Sequence, residues 1–279
     1  MGKLSCLMLC ALLISSCGED DGVDQSVGVQ LYSFRNQFKE DAPAMFQQLK
    51  AWGITSIEGG VDTYGLSQEE FVRLLVENNL QVVSADASFE EIRDNPERVA
   101  KRAKSFGASY VMCAWIPHDG DDYTLEDNQN ATQVFNSAGK FFRSQGLNLV
   151  YHPHGYEFRP YGEGTLFDDM AKKAVHFDFE MDVYWVVHGG EDPMLLFDRY
   201  PDKFKLMHLK DMKKGTVGNL TGHGDVEDNV TLGTGMIDIK ALALWGKELG
   251  VTHFFLEDES SRSVEQVGKS LEFIKKEVF

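Results

Sequence analysis

The stretch Asn148-Leu149-Val150-Tyr151-His152-Pro153-His154-Gly155-Tyr156-Glu157-Phe158 decides how this chain folds. A short apolar run ends in two histidines two positions apart, which in an extended chain share a face. Pro153 between them removes a backbone donor and ends strand pairing. The same design recurs downstream: residues 177–182 end in Asp182, residues 204–209 carry His208, and residues 253–257 end in Glu257. Four earlier apolar runs, at 27–32, 54–58, 81–85 and 110–113, complete a set of eight. They are nearly continuous in apolar residues rather than alternating, as strands buried on both faces are.

Helical segments are predicted between them, near 42–52, 68–78 (with Ser67 as N-cap), 96–106, 128–145, 166–173, 192–199, 237–249 and 264–276. Strict strand–helix alternation over about 250 residues predicts a single (β/α)8 TIM barrel at 27–279. In that fold the C-terminal strand ends ring one mouth, where active sites sit. One connection is unusually long. Residues 213–235, after the seventh strand, carry six glycines among acids, and we read them as a lid or substrate loop rather than a solvated insertion.

The first residues read as an export signal. Lys3 precedes an apolar run at 4–14 that is too short for a permanent membrane span. Ile14-Ser15-Ser16-Cys17 then reads as a lipobox. The expected organisation is a signal peptide at 1–16, a lipid acceptor at Cys17, and a flexible acidic tether over 17–26. The chain is thus expected outside the cytoplasm, touching a membrane only through the lipid on Cys17. Of four cysteines, only Cys113 remains in the folded part, so no disulfide framework is expected.

The formal net charge is −17, and losing Lys3 with the signal makes it −18. Such an acidic chain excludes nucleic acid as a partner. It also fits poorly with a phosphorylated substrate.

Carboxylates and imidazoles on strands five to eight suit a divalent ion, whether Mn, Mg, Co or Zn. Such an ion polarises a carbonyl or hydroxyl and acidifies the neighbouring C–H, and a positioned base then removes the proton. Asp182, His208 and Glu257 are the expected metal ligands, with His152, His154 or Glu157 completing the shell. The remaining histidine, or Glu157, is the expected base, and Lys210 a cation for developing negative charge. Trp115 and Trp185 are expected against a sugar ring, and Glu58, Asp86 and Asp211 on its hydroxyls. Cys113 is expected to pack in the barrel.

Several motifs carry a resemblance: Gly28-Val29-Gln30-Leu31-Tyr32-Ser33-Phe34-Arg35, the His152–Phe158 segment, Asp182-Val183-Tyr184-Trp185, His208-Leu209-Lys210-Asp211 and the Gly233–Asp238 segment. Over nearly the whole folded part the chain resembles the xylose isomerase-like TIM-barrel superfamily. Within it, the chain is similar to the sugar phosphate isomerase/epimerase group, especially exported lipoprotein members. The resemblance implies a divalent metal held by Glu, Asp, His and Glu from strands five to eight. The last three correspond to Asp182, His208 and Glu257, whereas His152 stands at or near the place of the first. That departure puts a symmetric two-carboxylate epimerisation in doubt. The implied activity is isomerisation or epimerisation of an unphosphorylated sugar. The alternatives are β-elimination of the aglycone from a 3-keto-glycoside, or a non-catalytic carbohydrate-binding lipoprotein. Replacing Cys17 with serine is expected to leave the exported chain without its lipid, read by mass spectrometry of the purified protein.

Overall fold

The computed structural model describes residues 27–279. The expected signal peptide, Cys17 and the tether lie outside the described residues. Eight parallel strands close into a barrel in chain order: β1 (Val27–Gln30), β2 (Ser56–Glu58), β3 (Gln81–Asp86), β4 (Tyr110–Cys113), β5 (Asn148–Tyr151), β6 (Asp178–Asp182), β7 (Phe204–Leu209) and β8 (His253–Leu256). β8 pairs with both β7 and β1, which removes any sheet edge. This is the predicted TIM barrel.

Helix starts follow local chemistry. Ser67 with Glu70, Ser88 with Glu91, Thr124 with Asp127, and Thr165 with Asp168 each form a reciprocal capping box. The Thr124 box starts its helix at Leu125, earlier than the apolar period indicates, and the Ser88 box creates an unanticipated helix at Phe89–Asp94. β1 is shorter than predicted because the Gln30 side chain accepts the Tyr32 N–H at 3.1 Å and turns the chain into a 3-10 turn, Leu31–Phe34. Asp182 ends β6 and caps a short helix, Val183–His188, through the Trp185 N–H at 2.9 Å.

Strand periodicity then stacks the interior in layers. Val150 and His152, Leu206 and His208, and Phe255 and Glu257 each lie two apart and so share a face. Val83, Met112, Val150, Leu206 and Phe255 form a separate apolar cluster inside the barrel. Gly28 makes room for it, since a Cβ there would lie 2.9 Å from the Phe255 ring and 2.4 Å from the Ser56 carbonyl oxygen. The polar residues two positions further along three of these strands therefore rest on an apolar plug.

The long segment after β7 is anchored. The Asp211 carboxylate accepts N–H groups from Met212, Gly233, Gly235 and Ile237 at 2.8–3.1 Å, tying both ends of the segment to one side chain. Asp211–Met212 also pairs antiparallel with Asn229–Val230. Gly218 packs where a Cβ would lie 1.8 Å from the His188 carbonyl oxygen, and Gly222, at φ +73°, packs against Tyr156 and Trp115. The glycines thus permit close seating on the rim.

On the outer layer, one Asp168 oxygen serves the Thr165 cap, while the other accepts from Arg199 at 2.8 Å and from Tyr200 at 2.7 Å. Burial alone would raise this carboxyl, but the hydrogen bonds from Tyr200, Arg199 and Thr165 prevail and hold it at about 2. Asp168→Asn is expected to cost about 2 kcal/mol at pH 7, a fall in Tm of about 4–8 °C. A free aspartate titrates near 3.9, so the charge-dependent part is fully present above about pH 4 and fades as pH falls through about 2. Thermal melts of both proteins between pH 7 and pH 2 check the convergence.

Candidate metal centre

Four side chains predicted from separate strand ends converge at the barrel mouth. His152, Asp182, His208 and Glu257 each offer a ligand atom, and these atoms lie within 4.8 Å of one another. All four residues are buried. Asp182 Oδ2 is 3.2 Å from His152 Nε2 and 3.5 Å from His208 Nδ1. Glu257 Oε2 is 3.3 Å from that same Nδ1. The Nδ1 atom makes no hydrogen bond although it is buried between two carboxylates.

The other His208 nitrogen explains this. Nε2 is 2.6 Å from Glu58 Oε1, so it donates to Glu58 and turns Nδ1 toward Asp182 and Glu257. Glu58 is held in turn by Gln30 Nε2 at 2.8 Å. A carboxylate behind a histidine, fixing its tautomer and orientation, is the usual support for a metal-bound imidazole. Two imidazoles and two carboxylates make a donor set suited to a divalent ion. The unpaired Nδ1 and the mutual approach of the donors fit such an ion.

The electrostatics agree. Burial disfavours a charged His208, yet Glu180 and Glu257 overcome it and push the imidazole well up. Burial would likewise raise Asp182, but His152, His208 and Lys210 hold it well below the usual carboxylate range. Glu180 is pushed up by burial and by Glu58, and neither of its oxygens has a hydrogen-bond partner. The site concentrates negative charge around one imidazole, which is what a cation requires.

The structure distributes the other predicted site residues unevenly. His154, Trp115 and Trp185 line the cavity above the four donors, as does Asp86. Burial and the neighbouring His152 lower His154 well below its ordinary value, so it is a neutral imidazole at neutral pH. Burial pushes Asp86 up to about 6. Trp115 packs against His118, His154, Tyr156 and His223, so much of its ring is already engaged.

Glu58, Glu157, Lys210 and Asp211 do not line the cavity. Glu58 lies behind His208 instead of reaching a sugar hydroxyl. Glu157 is fully buried, bonded by the Tyr151 hydroxyl and by the His154 and Gly155 N–H groups. Lys210 is fully buried and gripped by Glu257 at 3.0 Å and Glu259 at 2.5 Å. It therefore orients Glu257 rather than facing a substrate oxygen. Asp211 is consumed by the loop N–H groups described above. Gln30, Glu180 and Glu259 were not anticipated, because each faces a residue distant in the sequence, Glu58, His208 and Lys210 respectively.

The chain belongs to the xylose isomerase-like TIM barrel family, whose model matches residues 46–277. Among curated proteins it is 22% identical over 210 residues to an inosose dehydratase of Mesomycoplasma hyopneumoniae (strain 7448), covering 69% of this chain and 61% of that relative. Among solved structures it is similar to a sugar phosphate isomerase/epimerase from Parabacteroides distasonis ATCC 8503, with a TM-score of 0.74 and 21% identity over 94% of this chain and 96% of the other. It is also similar to a xylose isomerase-like TIM barrel protein from Mycobacterium smegmatis in complex with magnesium, with a TM-score of 0.67 and 16% identity over 90% and 96% of the two chains. At these identities the structural likeness establishes the shared fold.

Two substitutions separate the donors from their support. His208→Ala is expected to abolish stoichiometric divalent binding. Glu58→Gln is expected to weaken it by about 10–100-fold while leaving the four donors in place. Competition with a chromogenic chelator, followed for zinc and for manganese, measures both.

Proposed function

We propose that this protein is a divalent-metal-dependent enzyme that removes a proton next to the carbonyl of an unphosphorylated sugar, giving isomerisation or epimerisation. The observation that carries this reading is the convergence of His152, Asp182, His208 and Glu257 around the unpaired His208 Nδ1. When bound, the metal ion supplies Lewis-acid polarisation of the substrate carbonyl. His154, a neutral imidazole on the cavity wall, accepts the proton. Asp86, pushed up to about 6, is poised to hold or return a proton near neutral pH. Lys210 keeps Glu257 in position, and Glu58 does the same for His208.

The lining supports a neutral substrate. It includes Asp86, Glu90, Asp225, Glu257 and Glu259, and no lysine or arginine among the described residues. A phosphoryl group gains nothing there and meets like charge. The export signal expected at residues 1–16, before Cys17, agrees with this, since sugar phosphates are scarce outside the cytoplasm.

A second reading shares the proton abstraction but then expels the aglycone of a 3-keto-glycoside. His152 favours it, because the strand-five position lacks the second carboxylate of a symmetric acid–base pair. The match to proteins named inosose dehydratase favours it as well. A purely carbohydrate-binding role is the third reading.

The test is hydrogen exchange. Metal-loaded protein incubated with a keto-sugar in deuterated water is expected to exchange the hydrogen next to the carbonyl, seen by NMR. His154→Ala is expected to slow this by at least about 100-fold with metal content retained. Isomers of intact substrate identify the first reading, and release of an aglycone with an unsaturated keto-sugar identifies the second. Absence of exchange across a panel of keto-sugars, with metal saturating, would falsify both.

A further inference from the structure

Behind His208 lies a second group of donors that the centre at the mouth does not use. An oxygen of Glu58, an oxygen of Glu180 and a nitrogen of His208 lie within 4.8 Å of one another. Glu58 spends Oε1 twice, accepting from Gln30 Nε2 at 2.8 Å and from His208 Nε2 at 2.6 Å. Its Oε2 has no hydrogen-bond partner, and neither does either oxygen of Glu180. Glu180 Oε1 is 3.3 Å from His208 Nε2, but the single proton there is already given to Glu58. Both carboxylates are fully buried.

A third, non-acidic group points the same way. Ser84 is fully buried, and its Oγ has no hydrogen-bond partner. It pairs in register with Glu58 across β2 and β3. It also stands two residues before Asp86, which lines the mouth cavity, so it faces the barrel interior. Glu180 is anomalous as a packing residue as well. It pairs in register with Leu206, a member of the apolar plug. A leucine or methionine would complete that plug, whereas a buried carboxylate needs a proton donor, a counter-charge or a metal.

The charges lead to the same place. Lys210 pairs with Glu257 and Glu259 and offsets one negative charge. A divalent ion at the mouth offsets two more, those of Asp182 and Glu257 in its own donor set, and a metal-bound His208 is neutral. The surplus that remains amounts to two charges, as many as Glu58 and Glu180 carry behind the imidazole. We propose that Glu58 Oε2, the Glu180 carboxylate and Ser84 Oγ hold a second divalent cation, magnesium or manganese, on the Nε2 side of His208. Donors that are all oxygen suit these hard ions, while the two imidazoles of the mouth centre suit zinc. The second ion neutralises the carboxylate pair and fastens Glu58, which orients His208. His208 is the wall between the two sites, so its removal frees Glu58 and disturbs both. The inference does not depend on the sugar reading.

The experiment counts metals. Protein carrying one equivalent of zinc is dialysed against excess manganese, and both elements are measured inside and outside the membrane. Zinc outcompetes manganese at nitrogen donors, so one zinc and one manganese per chain are expected. Glu180→Gln is expected to keep the zinc and lose the manganese. Glu180→Met, which extends the apolar plug, is expected to do the same and covers the case in which the amide folds poorly. Retained zinc verifies the barrel in both variants. In protein loaded with manganese alone, two ions flanking one ring are expected to broaden each other's electron paramagnetic resonance signal. Glu180→Met is expected to restore the six-line spectrum of an isolated ion. Zinc bound with no manganese overturns the proposal and leaves a proton shared by Glu58 and Glu180. Manganese kept at full stoichiometry by both variants overturns its placement here. Neither result alters the zinc centre or the hydrogen-exchange test above.

Discussion

His208 is the hinge of the site, because its two nitrogens face two different environments. Nε2 is fixed from below by Glu58, which Gln30 holds in turn, and Nδ1 is left between Asp182 and Glu257. The barrel makes this possible through strand period alone. Residues two apart share a face, so a strand that contributes Val150, Leu206 or Phe255 to the interior plug also presents a donor directly above it. A one-residue slip in any of these strands would send its donor into the helical layer and an outward side chain into the mouth. Packing of the plug and geometry of the donors are therefore the same constraint.

Charge is the second theme. Glu58, Glu180, Asp182, Glu257 and Glu259 crowd around one lysine and two histidines. Burying carboxylates is costly unless they are paired or coordinate a metal. Lys210 meets part of that demand by bonding both Glu257 and Glu259. The remainder is expressed as upward pressure on His208 and Glu180. The surplus is a store of negative potential aimed at one point, and a divalent cation relieves it more completely than a proton.

Much of this was legible in the chain. Eight apolar runs alternating with helical segments predict the barrel, and Asp182, His208 and Glu257 were readable as donors because each stands at the end of its own apolar run. His152 was readable only as one of three options, since His154 shares its face and Glu157 follows within a turn. Strand-end position cannot reveal that Tyr151 and two backbone N–H groups sequester Glu157. Glu58 and Asp211 looked like contacts to substrate hydroxyls, and Lys210 like a cation for developing negative charge, for a similar reason. Their true partners are His208, the Gly233–Ile237 backbone, and Glu257 with Glu259, all distant or irregular in sequence. Capping boxes could have located the Phe89–Asp94 helix, because Ser88 and Glu91 have the required spacing.

The Asp211 carboxylate closes the two ends of the rim segment onto a single side chain, three residues beyond His208 in the same run. The wall of the cavity is in this sense a cassette buttoned at its base. Residues between the fastened ends, including His223 and Val226, face the cavity, so exchanging them reshapes what enters while the floor keeps its register. Such an arrangement separates the evolution of ligand choice from the preservation of chemistry. A barrel of this kind can diversify by re-tailoring one stapled loop instead of rebuilding its strands.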